Sequence, residues 1–216
     1  MNKEKTIFWN VDTLYDFMRK DGKLYVPGAE TTEGNLEIIT KTSKKEDIQV
    51  INSGDWHDKN SPEISDKPDF VNTFLMHAEK NTPGAEYIPA TNPENAYTIF
   101  KEDKTIDENL VRETRNIVIR KDAFDSFDLN QGNPHTEKIL DIIKPKKVIV
   151  YGVATNYCDD FVIMGLAKRK GIEIYAVIDA MKEIPSDGEP QKTFDKWKEA
   201  GVKLVTTDEV VKQYQR

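Results

Sequence analysis

Short apolar runs rich in β-branched residues recur along the chain, separated by amphipathic or polar stretches. Runs such as VIVYGV and IYAVI are apolar at consecutive positions, which is typical of parallel strands that helices cover on both faces. Their alternation with helical patterns predicts an α/β protein with a doubly wound, mostly parallel sheet and helices on both faces. The predicted strands are residues 7–11, 48–51, 148–153 and 174–178, with weaker candidates at 97–100, 117–119 and 202–205.

Three segments between these runs are predicted to be helices. Residues 136–143 place their isoleucines and leucine on one face. Residues 157–170 are largely apolar and turn basic before Gly171, where a helix C-terminus is expected. A last helix is expected to begin near Thr206, which can form a capping box with Glu209.

Two long stretches, 55–93 and 181–190, have no regular apolar period and are rich in polar residues and proline. Loops of this length in a compact domain are usually functional. The chain has 216 residues, so we expect a single domain, 1–216, with a long loop region at 55–93.

The composition, with 38% apolar and 32% charged residues, is that of a globular protein. The net charge of −7 argues against a general affinity for nucleic acid or an anionic membrane, so small or neutral partners are expected. The N-terminus lacks the apolar core of a signal peptide, and no run approaches the roughly 18 apolar residues of a membrane span. These features predict a soluble, cytoplasmic protein.

The chain has one cysteine, Cys158, and three histidines, at positions 57, 77 and 135. A lone cysteine excludes an internal disulfide and any metal site built from several cysteines. Any cysteine chemistry within one chain therefore depends on a single thiol.

Polar residues follow two predicted strands, at the sheet edge where ligands bind in open α/β sheets. Asp12 ends the first strand and reads either as a turn former or as a general base. Asp55 and His57 are two residues apart, so an extended segment directs both to the same side. This pair is either part of a solvated loop or two ligands of a metal, and the third ligand would then be His77 or His135.

Cys158 lies at a predicted turn from a buried strand into a helix. The free amides and positive dipole end of a helix N-terminus stabilise a thiolate and can also receive an oxyanion. The alternative is a cysteine that packs as a small apolar residue. Candidate partners for a reactive thiol are Asp12 and Lys121, each at the end of its own predicted strand.

Five segments, which follow one another along the chain in the family's order, resemble the isochorismatase-like cysteine hydrolases, and within them the nicotinamidases. DTLYDF resembles the aspartate motif of that family, DWH its metal motif, RKDAFDSF its lysine region and GVATNYC its nucleophile motif. FLMHAEKNTPGAEYIP resembles the nicotinamidase segment in which a histidine precedes a G-T-P-G-A-E stretch. The resemblance covers residues 6–181 and implies the three-layer, Rossmann-like fold of the family.

The resemblance implies three catalytic side chains: Cys158 as the nucleophile, Asp12 as its general base and Lys121 as the cation that orients both. It places a cis peptide between Val153 and Ala154. The backbone N–H groups of Ala154 and Cys158 would then form the oxyanion hole.

The resemblance also implies a divalent metal held by Asp55, His57 and His77. Zinc is the first choice, and iron(II) and manganese suit the same ligands. The residues implied to contact the substrate ring are Phe17, Phe74, Val153 and Tyr157.

The implied activity is that of a nicotinamidase, which converts nicotinamide to nicotinate and ammonia through a thioester, in a homo-oligomer. A related hydrolase of another small amide, a carbamoyl compound or an isochorismate-like substrate is the alternative. A hypothesis of another class makes Cys158 a redox-sensing thiol on a binding domain. Asp159 and Asp160 follow Cys158 where the family usually has apolar residues, and we expect these acids to raise the pKa of the thiol.

Overall fold

A computed structural model describes residues 5–185 and 190–214. Seven strands form one sheet in the order β3-β4-β2-β1-β5-β6-β7, and every neighbouring pair is parallel. The predicted doubly wound α/β fold is therefore confirmed. The strands are β1 (Thr6–Val11), β2 (Gln49–Asp55), β3 (Tyr97–Ile99), β4 (Asn116–Lys121), β5 (Lys147–Val153), β6 (Glu173–Lys182) and β7 (Lys203–Val205).

The described helices connect these strands and cover both faces of the sheet. Three short 3-10 helices, Ala29–Thr32, Pro83–Ala85 and Pro89–Thr91, accompany them. The α-helices are α1 (Tyr15–Met18), α2 (Glu33–Lys45), α3 (Glu108–Glu113), α4 (Thr136–Ile143), α5 (Cys158–Ala167), α6 (Pro190–Glu199) and α7 (Thr207–Lys212).

Two apolar cores lie on opposite faces of the sheet, because successive side chains of a strand point to opposite sides. Trp9 of β1 packs into the core that also contains residues of α3, α4, α5 and α6. Its neighbour Phe8 packs into the core with residues of α1, α2 and α7. Both side chains are fully buried, which explains why the central strands are apolar at consecutive positions.

The direction in which successive strands are added across the sheet reverses between β1 and β5, although the two strands are parallel. From β1 the chain runs outward to β2 and the β3–β4 edge, and β5 then starts the other half of the sheet. In open α/β sheets this reversal creates a crevice beyond the carboxyl ends of the strands. Gly152 permits the close packing there, since a Cβ atom at its φ of +139° would lie 2.0 Å from the carbonyl oxygen of Val11.

Three strands are longer than their apolar patterns predict, and β4 extends the predicted 117–119 to Asn116–Lys121. β2 continues through polar residues to Asp55, where pairing with β1 and β4 supplies the backbone hydrogen bonds. β6 continues to Lys182 and pairs again with β5 after an irregularity. The predicted loop at 181–190 is therefore partly a strand, while 186–189 lie outside the described residues.

The predicted helices are present, with one difference in length. The predicted helix 157–170 is shorter, Cys158–Ala167. Thr206 and Glu209 form the predicted capping box at the start of α7. Four further helices, α1, α2, α3 and α6, are not among the predicted ones. α1 and α3 are only four and six residues long, and α2 and α6 are rich in polar residues.

Candidate active site

Four side chains from different strand ends meet at the crevice between β1 and β5. Asp12 follows β1, Asp55 ends β2, Lys121 ends β4 and Cys158 begins α5. The Lys121 Nζ lies 2.8 Å from the Asp12 Oδ2 and 3.7 Å from the Cys158 Sγ, and it forms an ion pair with Asp55. All four residues are buried. The sheet thus encloses an ammonium between two carboxylates and beside a thiol.

Asp12 occupies a backbone position that suits its residue type. Its φ is +47°, a left-handed conformation that Asp tolerates better than most residues. The Asp12 N–H donates to the Ser53 carbonyl at 2.9 Å, and the Asp12 carbonyl accepts from the Leu14 N–H at 2.7 Å. These bonds fix the carboxylate at the end of β1.

The charges of this group favour a neutral thiol beside a basic carboxylate. Burial and the charge of Asp55 raise the pKa of Asp12 to about 6. Burial and the charge of Asp12 raise the pKa of the Cys158 thiol well above its ordinary value, although Lys121 opposes the shift. Burial disfavours the Lys121 ammonium, but Asp12 and Asp55 outweigh this effect and raise its pKa. Near neutral pH, Asp12 can accept the proton that the thiol carries.

The turn before Cys158 is tied to the end of β6. The peptide bond between Val153 and Ala154 is cis, as the family resemblance implies. The Thr155 N–H donates to the Lys182 carbonyl at 2.9 Å. The Asn156 side chain exchanges two hydrogen bonds of 3.0 Å with the backbone of Ile184.

A second group of side chains adjoins Asp55. The ligand atoms of Asp55, His57, Glu63 and His77 all lie within 4.8 Å of one another, and all four residues are buried. The Nε2 atoms of both histidines and the Oε2 of Glu63 have no hydrogen-bond partner among the described residues. Buried polar atoms are almost always partnered in native proteins, so this convergence fits a bound cation.

Other contacts hold the free atoms of this group in place. The Nδ1 of His57 lies 3.0 Å from Asp122 and that of His77 lies 2.8 Å from the Leu75 carbonyl, so each Nε2 is left for a ligand. The Oε1 of Glu63 accepts the Phe124 N–H at 2.5 Å. Asp55 contacts both Lys121 and His57, so it joins the thiol group to the cation group.

The structure brings together the predicted trio Asp55, His57 and His77 and adds Glu63. Sequence reasoning missed Glu63 because it lies in an irregular loop with no spacing relation to the other ligands. His135 is elsewhere: it precedes α4, and its Nε2 lies 2.7 Å from the Asp103 carbonyl.

An apolar pocket opens onto Cys158 and His77. Aromatic rings meet at steep angles in its wall: the Phe124 and Tyr157 centroids are 5.4 Å apart, and those of Phe74 and Tyr157 are 6.4 Å apart. The four residues predicted to contact the substrate ring, Phe17, Phe74, Val153 and Tyr157, all line this pocket. The other lining residues are Leu24, Val26, Asp55, His77, Phe124, Ala154, Cys158 and Ile184, of which Phe124, Leu24, Val26 and Ile184 are not among the predicted site residues.

The two acids after Cys158 have different surroundings. Asp160 accepts hydrogen bonds from Lys196 at 2.6 Å and from the Trp197 ring N–H at 2.8 Å, both on α6. Asp159 is fully buried, and its carboxyl oxygens have no partner among the described residues. The expected increase in the thiol pKa is present, but burial, Asp12 and Asp55 cause it.

The sequence matches the model of a known protein family over most of its length. The family model described as isochorismatase domain matches residues 6–209. The chain belongs to the isochorismatase family. The predicted family is therefore confirmed. The prediction that the chain is an enzyme is confirmed as well, as a hydrolase of this family.

Solved structures share the fold of this isochorismatase-family chain at low sequence identity. A pyrazinamidase of Pyrococcus horikoshii in complex with zinc has a TM-score of 0.72 and 23% identity, over 94% of this chain and 99% of that one. An N-carbamoylsarcosine amidase from Thermoplasma acidophilum has a TM-score of 0.70 and 20% identity, over 94% and 97%. A nicotinamidase from Bacillus subtilis has a TM-score of 0.71 and 17% identity, over 93% and 99%. No curated protein matches the sequence.

Proposed function

We propose that this isochorismatase-family chain is a metal-containing cysteine amidohydrolase whose substrate is nicotinamide, which it converts to nicotinate and ammonia. The observation that carries the proposal is the shared position of Asp55, which contacts both Lys121 of the thiol group and His57 of the cation group. A thiol and a cation site on one pocket suit a substrate that has a carbonyl at one end and a metal-binding atom at the other.

The pocket wall supports a flat, uncharged substrate. Phe17, Phe74, Phe124 and Tyr157 line it, and aromatic side chains stack well on a heteroaromatic ring. No lysine or arginine is among its described lining residues. A substrate carboxylate such as that of N-carbamoylsarcosine would have no cationic partner in this wall, so the proposal favours nicotinamide.

In the first half-reaction, Asp12 accepts the proton of Cys158, and the sulfur attacks the carbonyl carbon of the amide. The N–H groups of Ala154 and Cys158 are proposed to stabilise the oxyanion, each donor contributing about 3–4 kcal/mol by analogy with known oxyanion holes. Asp12 then gives its proton to the departing nitrogen. The C–N bond breaks, ammonia leaves, and a thioester remains.

In the second half-reaction, Asp12 accepts a proton from water while the water oxygen attacks the thioester carbonyl. The C–S bond breaks, and the sulfur regains a proton from Asp12 as the carboxylic acid leaves. Lys121 stays charged throughout and offsets the negative charge that moves between Asp12 and the sulfur.

The cation group, Asp55, His57, Glu63 and His77, would hold the metal. Two imidazoles and two carboxylates suit zinc, iron(II) or manganese, and we propose zinc. When bound, the ion supplies a Lewis-acidic anchor for the ring nitrogen of the substrate. The ion would contribute to the reaction by placing the carboxamide of the substrate next to Cys158.

The decisive experiment measures ammonia release by the zinc-loaded protein from nicotinamide and from benzamide, which lacks the ring nitrogen. We expect turnover of nicotinamide, much slower turnover of benzamide and none with Cys158→Ala. A zinc-loaded wild type that releases no ammonia from nicotinamide would overturn the substrate assignment, and an active Cys158→Ala variant would overturn the mechanism. Faster release from N-carbamoylsarcosine would favour the carbamoyl alternative.

We further propose that the chain works as a single domain in a cytoplasmic homo-oligomer, without nucleic acid or membrane partners. A reducing cytoplasm would keep Cys158 as a thiol. The exposed apolar side chains of Phe70, Val71 and Leu75 support an interface between copies. None of the described helices is long and apolar enough to cross a membrane. Light scattering on the purified protein tests the oligomer, which a monomeric mass would contradict.

A further inference from the structure

The proposed chemistry gives no role to Asp122, a buried carboxylate beside the cation group. Asp122 directly follows β4, and its side chain is only 7% exposed. Its Oδ1 lies 3.0 Å from the Nδ1 of His57 and also accepts a hydrogen bond from the Ser61 hydroxyl. Its Oδ2 accepts a hydrogen bond of 2.7 Å from the Lys101 Nζ. The carboxylate therefore connects a proposed metal ligand to a cation near the surface.

Three separate strand ends position His57, Asp122 and Lys101. His57 follows β2, Asp122 follows β4 and Lys101 follows β3, and these three strands are neighbours in the sheet. The Asp122 backbone is held as well, because its N–H donates to the Gln131 carbonyl at 3.0 Å. Parallel strands bring their carboxyl ends to one edge, so the three side chains meet without any long loop having to order them.

Two of the contacts determine what Asp122 does to the imidazole. An acceptor at Nδ1 keeps the proton on that nitrogen, so that the lone pair is on Nε2, the atom that lies 3.5 Å from Asp55 and 3.9 Å from Glu63. The Lys101 Nζ bonds the other oxygen, Oδ2, at 2.7 Å, so both oxygens of the Asp122 carboxylate are held and its orientation toward the imidazole is fixed.

We infer that Asp122 is a positioning residue that fixes the tautomer and orientation of His57 for metal binding, with Lys101 holding the other oxygen of the Asp122 carboxylate in place. The inference rests on the proposed function of the cation group as a metal site. The competing role is structural: Asp122 would tie the loop at 57–61 to the end of β4 through Ser61 alone. Removal of the carboxylate would then affect folding and leave metal affinity unchanged.

The test titrates zinc into the metal-free protein in competition with a chromogenic chelator. For Asp122→Ala we expect zinc affinity to fall by about 10- to 100-fold, the usual effect of losing such a partner. For Asp122→Asn we expect a smaller loss, because the amide oxygen still accepts the Nδ1 proton but carries no charge. The visible spectrum of the cobalt(II) form should change in both variants, since the His57 ring is no longer held in the same way.

Asp58→Asn is the matched control. Asp58 adjoins His57 in the same loop, but it is half exposed and pairs with Lys80 at 3.0 Å. We expect its zinc affinity and cobalt spectrum to equal those of the wild type.

Thermal unfolding of each metal-free variant, followed by circular dichroism, shows whether it is folded. Wild-type zinc affinity in Asp122→Ala overturns the inference, and so does an equal loss in Asp58→Asn. If the alanine variant does not fold, wild-type affinity and an unchanged cobalt spectrum in Asp122→Asn overturn it. The readouts use only the metal, so they hold even if nicotinamide proves not to be the substrate.

Discussion

The buried carboxyl group of Asp159 should make the protein less stable as the pH rises. It lies in the first turn of α5, and both of its oxygens lack a partner among the described residues. Burial and the negative charges of Asp12 and Asp160 raise its pKa well above the ordinary value. An acid with a raised pKa in the folded state stabilises the fold most below its unfolded pKa of about 3.9, and this contribution is lost as the pH rises towards the folded pKa.

Asp159→Asn removes this titration and keeps the size of the side chain. Each pKa unit corresponds to about 1.4 kcal/mol, so the free energy of unfolding of the variant should gain up to that amount over the wild type for each pH unit above about 4. The gain ends at the folded pKa of Asp159. A charged Asp159 would interact favourably with the helix N-terminus by only about 0.3–1 kcal/mol, which is too little to cancel the effect over two pH units.

The assay is urea unfolding of the metal-free wild type and variant at about pH 5 and about pH 7, each extrapolated to zero denaturant. The difference between the two proteins removes the contributions of the titrating groups that do not interact with Asp159. We expect Asp159→Asn to be the more stable protein at the higher pH. Asp160→Asn is the control: it loses the ion pair with Lys196 but keeps an oxygen that can accept the Trp197 N–H, so it should be less stable than the wild type.

One result would refute this reasoning. If the stability difference between Asp159→Asn and the wild type is the same at both pH values, Asp159 does not titrate differently in the folded and unfolded states. If Asp159→Asn is less stable than the wild type at the higher pH, the ionised Asp159 carboxylate has a stabilising partner in the folded protein, which also contradicts the prediction.

Three further predictions concern the site. The kcat/KM for nicotinamide should rise with pH through about 6, because Asp12 must be ionised to accept the thiol proton; a pH-independent rate between about pH 5 and 7 would contradict this role. Lys121→Met should lower the free energy of unfolding by about 3–5 kcal/mol in urea, because it leaves two buried carboxylates unpaired. The exposed Lys170→Met should change it by less than about 0.5 kcal/mol, and equal effects would refute the difference. Glu63→Gln should weaken zinc binding in the chelator competition, whereas the exposed Glu102→Gln should not; equal affinities for both variants would remove Glu63 from the ligand set.

The strands could be predicted because their physical cause is local. Central strands covered on both faces must be apolar at consecutive positions, and β1, β4, β5 and β6 carry that pattern. The polar end of β2 could not be predicted, because Asn52, Ser53 and Asp55 read as a loop. Pairing with β1 and β4 on either side overrides that local preference.

Some residues of the candidate site could also be predicted from the sequence, and others could not. Asp12, Lys121 and Cys158 could be singled out because each stands where an apolar run ends, and the family resemblance supplied their proposed roles. Glu63 and Asp122 could not, since the position of each depends on contacts with distant parts of the chain. Glu63 is fixed by the Phe124 N–H, and Asp122 by His57 and Lys101.

The sequence by itself determined the α/β fold, through its apolar runs and the helical patterns between them. It also determined which polar residues follow the predicted strands and that one thiol is available for chemistry. Residue spacing left both His77 and His135 open, the family resemblance implied His77, and the tertiary structure places His77, and not His135, beside Asp55 and His57. Spacing along the chain cannot distinguish the two histidines, because irregular loops precede both. Packing can, because it directs the His77 ring into the cation group and gives the His135 ring a carbonyl partner at Asp103.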